Sequence, residues 1–103
     1  MFRRRLSLLV ASVAIPAFAA SEYFYEPPQG FVPNKETAIA IAVAIWTPIY
    51  GREQIESEKP FNAALRGDTW YVTGTLPDGY VGGVAEAAIR KRDGRISQVT
   101  HGQ

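Results

Sequence analysis

The stretch from Ala38 to Trp46 contains no polar side chain, and its larger apolar residues recur at the spacing of an α-helix. A helix that is apolar all round is expected to be covered on most sides. Because a membrane-spanning helix needs roughly 20 apolar residues, this shorter run predicts the buried centre of a small globular domain. One predicted helical face consists of Ile39, Val43, Trp46 and Tyr50, and a second consists of Ile41, Ile45 and Ile49.

The residues that flank this apolar run carry signals for the two ends of a helix. Asn34 is a favourable N-cap, and Glu36 lies near the positive end of the helix dipole. Pro48 lacks the N–H that would bond the carbonyl of Ala44, so the last turn is expected to kink or to end there. Gly51 is a typical C-terminal stop. We therefore predict one helix between Asn34 and Gly51.

The second half of the chain contains short stretches of β-forming residues that are separated by turn signals. Trp70 and Val72 are expected to point inward, and the Asp93-Gly94 pair is a strong hairpin signal. The pattern predicts an α+β fold, in which one buried N-terminal helix packs on a curved antiparallel sheet of about four strands and leaves the other face of the sheet free. After a charged connection with one helical turn around Ile55, strands are predicted at 61–66, 69–75, 84–92 and 95–101.

The first residues of the chain have the pattern of a secretory signal peptide. Three arginines at positions 3–5 precede an apolar core at 6–15, and small residues at 17 and 19 permit cleavage after Ala19. The apolar core is too short for a membrane anchor. We therefore predict a periplasmic or secreted protein without a stable membrane anchor, made of a signal peptide at 1–19, an extended arm at 20–33 and a single α+β domain at 34–103.

The charge balance depends on this predicted cleavage. The whole chain has 11 basic and 10 acidic residues and a formal net charge of +1. The predicted cleavage removes three arginines, so the remainder carries a small negative charge and nucleic-acid binding has no electrostatic basis. The chain contains no cysteine, so its stability must come from one apolar core and not from disulfides.

The predicted arm is rich in proline and in large aromatic side chains. Three prolines, at positions 27, 28 and 33, are incompatible with a helix interior and favour extended backbone. An alternative is a mobile arm that becomes ordered on a partner. We expect the second helix face to be covered by Tyr23, Phe24, Tyr25, Phe31 and Val32.

Side chains suited to catalysis are few in this sequence. His101 is the only histidine, so a zinc site with several His or Cys ligands cannot form, and a solvated position at a strand end is expected. Ser97 lies about 13 Å away along the same strand, which is beyond hydrogen-bond reach. Glu53 and Glu56 are expected to be solvated, or else to form an acidic patch that faces a basic partner. We therefore predict no enzymatic activity, no metal and no cofactor.

Three features of the sequence are candidates for contact with a partner protein. Each also has a structural interpretation, because glycines permit a turn or bulge, an acidic residue fits the free face of a sheet, and charged strand edges oppose association between sheets. A glycine-rich loop additionally permits close approach by another backbone, with Tyr80 as an anchor. The candidates are Tyr80, Gly82 and Gly83 in that loop, Glu86 in the third strand, and Arg90 and Arg92 at a basic hairpin tip.

Several short segments, in their order along the chain, resemble one known family. Over about residues 31–103 the chain is similar to the bacterial immunity proteins of the nuclear-transport-factor-2-like fold, which belong to polymorphic toxin systems. The resemblance implies a small helix-plus-curved-sheet protein that neutralises a toxin in bacterial competition, and it brings no catalytic residues. The segments that carry it are 33–42, 46–51, 59–61, 70–77, 79–83, 91–94 and 101–102.

These observations favour an exported immunity protein that blocks its cognate toxin by direct protein–protein contact. One alternative is a small-ligand-binding or enzymatic module, which would need a pocket of at least about 300 Å³ between helix and sheet. That pocket would be excluded if Trp46, Trp70 and Ile45 fill the space. A second alternative is an envelope protein that binds the cell wall.

Overall fold

A computed structural model describes residues 24–102. The predicted α+β class is confirmed, because a helix packs against an open antiparallel sheet of four strands. The predicted signal peptide at 1–19 and the start of the predicted arm at 20–23 lie outside the described residues. The helices are α1 (Lys35–Tyr50) and α2 (Arg52–Glu56), and the strands are β1 (Asn62–Arg66), β2 (Thr69–Thr73), β3 (Ala85–Arg90) and β4 (Ile96–His101).

The sheet is an antiparallel meander with the strand order β1-β2-β3-β4. Side chains alternate between its two faces because successive residues of a strand point in opposite directions. Trp70 and Val72 are buried against α1, as predicted, and Tyr71 between them is exposed. One row of the inner face pairs Ala63, Val72, Ala87 and Val99, and one row of the outer face pairs Ala64, Tyr71, Ala88 and Gln98.

Helix α1 begins and ends where the sequence predicts. The Asn34 side chain accepts a hydrogen bond of 2.9 Å from the backbone N–H of Thr37, which satisfies one of the free donors of the first turn. Gly51 follows the last helical residue with a φ of 95° and donates its N–H to the carbonyl of Thr47 at 2.9 Å. The helix continues through Pro48 to Tyr50.

The face of α1 that packs on the sheet differs from the predicted one. The fully buried stripe is Ala38, Ala42 and Trp46, whereas Ile39 and Val43 lie beside it and are only partly buried. Small alanine side chains allow the helix backbone to come close to the sheet, so they lie at the centre of the contact. Side-chain size decides which apolar stripe faces the sheet.

The opposite face of α1 is exposed. Ala40 and Ala44 are open to solvent, and Ile49 is 57% exposed. The expectation that an apolar helix would be covered on most sides is therefore wrong for the described residues. The physical reason is that the described sheet is open and contacts the helix on one side.

Two tryptophans fill the space between α1 and the sheet. The Trp46 side chain is fully buried, packs against the ring of Phe61, and donates its indole N–H to the carbonyl of Glu86 at 3.3 Å. Trp70 donates its indole N–H to the carbonyl of Val32 at 2.8 Å. The two rings fill the centre of the helix–sheet interface, and the open groove between the two layers lies at the carboxyl end of α1.

Residues 24–33 pack against the β3–β4 hairpin and not against the second face of α1. The backbone N–H groups of Phe31 and Val32 donate to the carbonyls of Arg92 and Lys91, both at 3.0 Å. Val32 is buried, but Phe24 and Phe31 are exposed, as is Tyr25. The predicted packing of these aromatic side chains on α1 is therefore wrong, because backbone pairing with the hairpin fixes the segment elsewhere. Tyr23 lies outside the described residues.

Among residues 24–102, no helix combines the length and the apolar content that crossing a membrane requires.

Candidate functional site

The candidate functional site is a groove at the carboxyl end of α1. It is open to solvent and has a volume of about 600 Å³. Both layers of the fold contribute to its walls. The helical layer supplies Tyr50, Gly51, Glu53, Gln54 and Ser57, and the sheet layer supplies Leu76, Pro77, Tyr80, Val81, Gly83, His101 and Gly102.

The junction between the two helices forms one wall of the groove. Gly51 has a positive φ, so the chain turns sharply after α1 and enters α2 at once. Ile55 is buried and anchors this short helix against the core. The next turn ends in Glu58, whose N–H donates to the carbonyl of Ile55 at 3.0 Å. This geometry places a carboxyl group directly behind the groove.

Glu58 is the one buried charged residue among the described residues, with a side chain that is 1% exposed. One carboxylate oxygen accepts the backbone N–H of Ala85 at 2.8 Å. The other accepts the side-chain amide of Gln54 and the Nε2 of His101, both at 2.7 Å. Three donors from α2, β3 and β4 thus satisfy a carboxylate that would be costly to bury alone.

The backbone of Glu58 also joins the helical layer to the sheet. Its carbonyl accepts the N–H of Thr75 at 2.7 Å. Gly74 packs so closely that a Cβ atom there would lie 2.5 Å from a Glu58 carboxylate oxygen. Only glycine fits at this position without displacing the carboxyl group. Glu58 therefore joins α2 to β3, to β4 and to the segment that follows β2.

The network shifts the pKa values of both its ionisable members. Burial by itself would raise the pKa of Glu58, but the hydrogen bonds from Ala85, Gln54 and His101 outweigh burial and lower it. The hydrogen bond to Glu58 and the contact with the Gly102 carbonyl raise the pKa of His101. The pair is therefore stabilised as a carboxylate and an imidazolium.

Both ring nitrogens of His101 are engaged. Nε2 faces the Glu58 carboxylate at 2.7 Å, and Nδ1 faces the carbonyl of Gly102 at 2.8 Å. A neutral imidazole donates only one proton, so the doubly protonated form satisfies both acceptors. No nitrogen is left to accept a proton from a substrate. His101 is the last residue of β4, as expected, but the expectation that it is solvated is wrong, because its ring is held by the buried carboxylate.

The floor of the groove is formed where two backbone segments touch. A Cβ atom on Gly83 would lie 2.3 Å from the Cα of Gly102. Gly102 also donates its N–H to the carbonyl of Val84 at 3.2 Å. This close approach extends the pairing of β3 with β4 beyond the last strand residues. The floor is therefore built from tightly packed backbone.

The rim on the sheet side carries the most exposed apolar side chains of the loop between β2 and β3. Tyr80 is 68% exposed and Val81 is 93% exposed. Gly79 and Gly82 flank them and both have positive φ values, so they let the loop project from the sheet. The opposite rim carries Tyr50, whose ring centroid lies 5.0 Å from that of His101.

The structure separates the predicted partner-binding residues into three places. Tyr80 and Gly83 line the groove, and Gly82 adjoins them. Glu86 is exposed on the outer face of the sheet, where it pairs with Thr73 and Thr100. Arg90 and Arg92 lie at the hairpin end of β3, and the loop lies at the other end of this six-residue strand, about 17 Å away. These residues do not form one continuous surface.

The hairpin end has a different chemical character from the groove. A cavity of about 370 Å³ lies between residues 24–31 and the hairpin, and it is bordered by Lys91 and Arg92. The rings of Phe24 and Phe31 contact one another there, with centroids 5.8 Å apart. This end is aromatic and mixed in charge, because Glu26, Asp68 and Asp93 also border the cavity.

The sequence does not predict four residues at the groove, which are Tyr50, Gln54, Glu58 and His101. Local sequence gives no signal for the burial of Glu58, because its partners Ala85 and His101 lie 27 and 43 residues away. The periodicity of α1 did place Tyr50 on an apolar face. Within residues 24–102 no group of three His, Cys, Asp or Glu side chains is arranged to hold a metal ion.

The Glu58–His101 pair gives stability a defined dependence on pH. The pKa of Glu58 is lowered in the folded protein. The contribution of Glu58 to stability is therefore complete above the ordinary pKa of 4.5 and is lost as the pH falls through the folded pKa. The pKa of His101 is raised in the folded protein. The contribution of His101 to stability is therefore complete below pH 6.5 and is lost as the pH rises through the folded pKa. Stability should therefore be highest between pH 4.5 and 6.5.

Urea denaturation of the wild type and of His101→Gln across this pH range measures the effect. His101→Gln leaves Glu58 and the groove residues Tyr50, Glu53 and Tyr80 in place, so the difference between the two profiles isolates the imidazole. The wild type should lose stability above pH 6.5, and the variant should show a flat profile there. A wild-type profile that stays flat up to pH 9 would contradict the assignment.

The part of the chain that forms the groove is similar to known proteins. The model of the NTF2 fold immunity protein family matches residues 37–103, which is more than half of the chain. The uncharacterized protein YhhH of Escherichia coli (strain K12) is 36% identical over 76 residues, and the match covers 73% of this chain and 60% of that protein. The chain thus spans less than two thirds of the length of this curated relative. No solved structure matches the chain.

Proposed function

The chain belongs to the family of NTF2-fold immunity proteins, and from this membership we propose that it neutralises its cognate toxin by binding it directly. The family assignment gives the chain a role in toxin immunity and implies a toxin partner. The family match over residues 37–103 is the observation that carries the proposal. All of the groove at the end of α1 lies inside the matched residues.

Neutralisation by binding, without catalysis, is supported by the chemistry of the groove. The ring nitrogens of His101 are both engaged, and the Glu58 carboxylate is saturated by three donors. Both groups are therefore engaged in contacts within the fold. A surface that holds a partner has no need of a free acid or base. We therefore assign the protein a binding role.

We further propose that the protein acts in the periplasm or outside the cell. The support is the sequence of residues 1–19, which has the charged start, the apolar core and the small residues of a cleavable signal peptide. Export would place the immunity protein where an incoming toxin arrives. The mass of the protein recovered from the periplasmic fraction tests this. It should correspond to residues 20–103, whereas Ala19→Arg should retain the uncleaved chain. Recovery of the full-length protein from the cytoplasm would contradict export.

Direct binding is tested with the cognate toxin, which is sought among the products of the neighbouring genes. The purified protein and an inactivated form of the toxin are mixed and followed by isothermal titration calorimetry. A stable complex with a dissociation constant below about 1 μM is expected from an interface of about 800 Å² per partner. Cells that express the toxin should survive only when this protein is made with it. Absence of both binding and protection would exclude the proposal.

A further inference from the structure

Given the toxin binding proposed above, on which this inference rests, we propose that the groove between Tyr50 and Tyr80 is the toxin-binding surface. The ligand that fits it is a lysine or arginine side chain on an exposed segment of the toxin. Its charged head would meet Glu53 and the rings of the two tyrosines, and its aliphatic stem would lie along Leu76 and Val81.

The charges around the groove favour a cation. His101 is the one positively charged side chain in the lining, and the buried carboxylate of Glu58 neutralises it at 2.7 Å. Glu53 also lines the groove, and no lysine or arginine within 4 Å pairs with it among the described residues. The groove therefore presents one uncompensated negative charge.

The carboxyl end of α1 adds to this negative character. A helix of 16 residues ends at Tyr50 on the wall of the groove, and its last turn contains no basic residue. The carbonyl groups at such an end carry a partial negative charge that favours cations nearby. The helix end and Glu53 thus both make the electrostatic potential of the groove more negative.

The walls match the rest of a long basic side chain. Tyr50 and Tyr80 offer aromatic rings, which attract a cation placed over the ring face, and Leu76 and Val81 offer apolar surface to the methylene stem. By contrast, the ring of Tyr71 on the outer face of the sheet already has the Arg66 guanidinium 4.7 Å from its centre. That aromatic face is occupied within the chain, whereas Tyr80 projects into solvent.

The groove is also organised before a partner arrives. The Glu58 network fixes α2 against the ends of β3 and β4, and the contact between Gly83 and Gly102 fixes the floor. A surface that is already ordered loses less conformational entropy on binding. Tyr80 and Val81 then stand out from a rigid base, as an anchor side chain of an interface does.

The exposed aromatic cluster at the hairpin end is the rival surface. It consists of Phe24, Tyr25 and Phe31 beside Lys91 and Arg92, and its charge is mixed because acidic side chains border the same cavity. These three aromatic residues lie outside residues 37–103, the part that matches the immunity family. The groove lies wholly inside it, so the immunity role favours the groove.

Calorimetric titration of matched variants with the inactivated toxin tests the inference. Glu53→Lys should weaken binding at least about tenfold, because it places a like charge opposite the basic side chain of the toxin. Glu56→Lys is the control, since it makes the same change on the same short helix, at an exposed residue outside the groove lining. Tyr80→Ala should also weaken binding at least about tenfold, and its control is Tyr71→Ala on the outer sheet face.

Three outcomes distinguish a failure of the groove proposal from a failure of the proposed function. Selective weakening by Glu53→Lys and Tyr80→Ala, with both controls within about threefold of the wild type, supports the groove. Wild-type binding that these variants leave unchanged overturns the groove alone, and a loss on Arg92→Glu would then place the toxin at the hairpin end. If the wild type does not bind the toxin and gives no protection, the proposed function fails together with the groove.

Discussion

Glu58→Ala is expected to lower the free energy of unfolding by about 3–5 kcal/mol, which is the usual cost of removing one partner from a buried ion pair. The change leaves the N–H of Ala85 without its acceptor and leaves the His101 imidazolium without its carboxylate. It also disconnects α2 from the sheet, because the Gln54 amide loses its acceptor. Urea denaturation at pH 6, where the ion pair is fully formed, measures the loss.

Two further variants define what the carboxylate contributes. Glu56→Ala removes a carboxylate of the same turn that pairs with Lys59 at the surface, and it should cost less than about 1 kcal/mol. Glu58→Gln keeps the shape and one acceptor for Ala85, so it should remain folded and lose less than the alanine variant. A Glu58→Ala protein within about 1 kcal/mol of the wild type would show that the network does not hold the fold together.

Trp46→Ala should be as destabilising, at about 3–5 kcal/mol, because it removes the largest fully buried side chain of the core. The ring packs against Phe61 at a centroid distance of 5.8 Å, and its N–H donates to the carbonyl of Glu86. Its removal leaves a cavity between α1 and the sheet and removes the hydrogen bond to the Glu86 carbonyl. Urea denaturation followed by circular dichroism measures the loss.

Ile49→Ala is the control for this substitution. Ile49 lies on the same helix but is 57% exposed, so its truncation should change the unfolding free energy by about 0.5 kcal/mol or less. Trp46→Phe keeps most of the apolar volume and should remain folded with an intermediate loss. Equal effects of Trp46→Ala and Ile49→Ala would contradict the assignment of the buried stripe.

The parts of the fold that depend on neighbouring residues could be predicted from the sequence. Asn34 and Gly51 give the ends of α1, because a side-chain cap and a positive φ are local requirements. Asp93 and Gly94 give the last hairpin for the same reason. The inward positions of Trp70 and Val72 follow from strand alternation alone.

The packing of α1 could not be obtained in this way. Periodicity groups the isoleucines of the helix into faces, but hydrophobicity does not show how close the sheet will come. The structure selects Ala38 and Ala42 beside Trp46, because small side chains let helix and sheet approach. Ile49, which is more hydrophobic than either alanine, remains exposed.

The candidate site depends on contacts between distant parts of the chain. In the sequence, Glu58 is one of several acidic residues in a charged connection, and His101 is a polar residue near the end of the chain. Only folding brings the two side chains together, and the burial of Glu58 is explained by the hydrogen bonds that its carboxylate then accepts. The prediction of Tyr80 as an exposed anchor rested on its glycine-rich loop, and the structure places that loop on the groove.

Titration of the toxin's killing activity with the purified protein distinguishes binding from catalysis. At a fixed toxin concentration well above the dissociation constant, residual activity should fall linearly and reach zero at one protein molecule per toxin molecule. The result should not change with longer incubation, because binding without turnover is stoichiometric. Complete loss of toxin activity at a small fraction of an equivalent, increasing with time, would reveal catalysis and contradict neutralisation by binding.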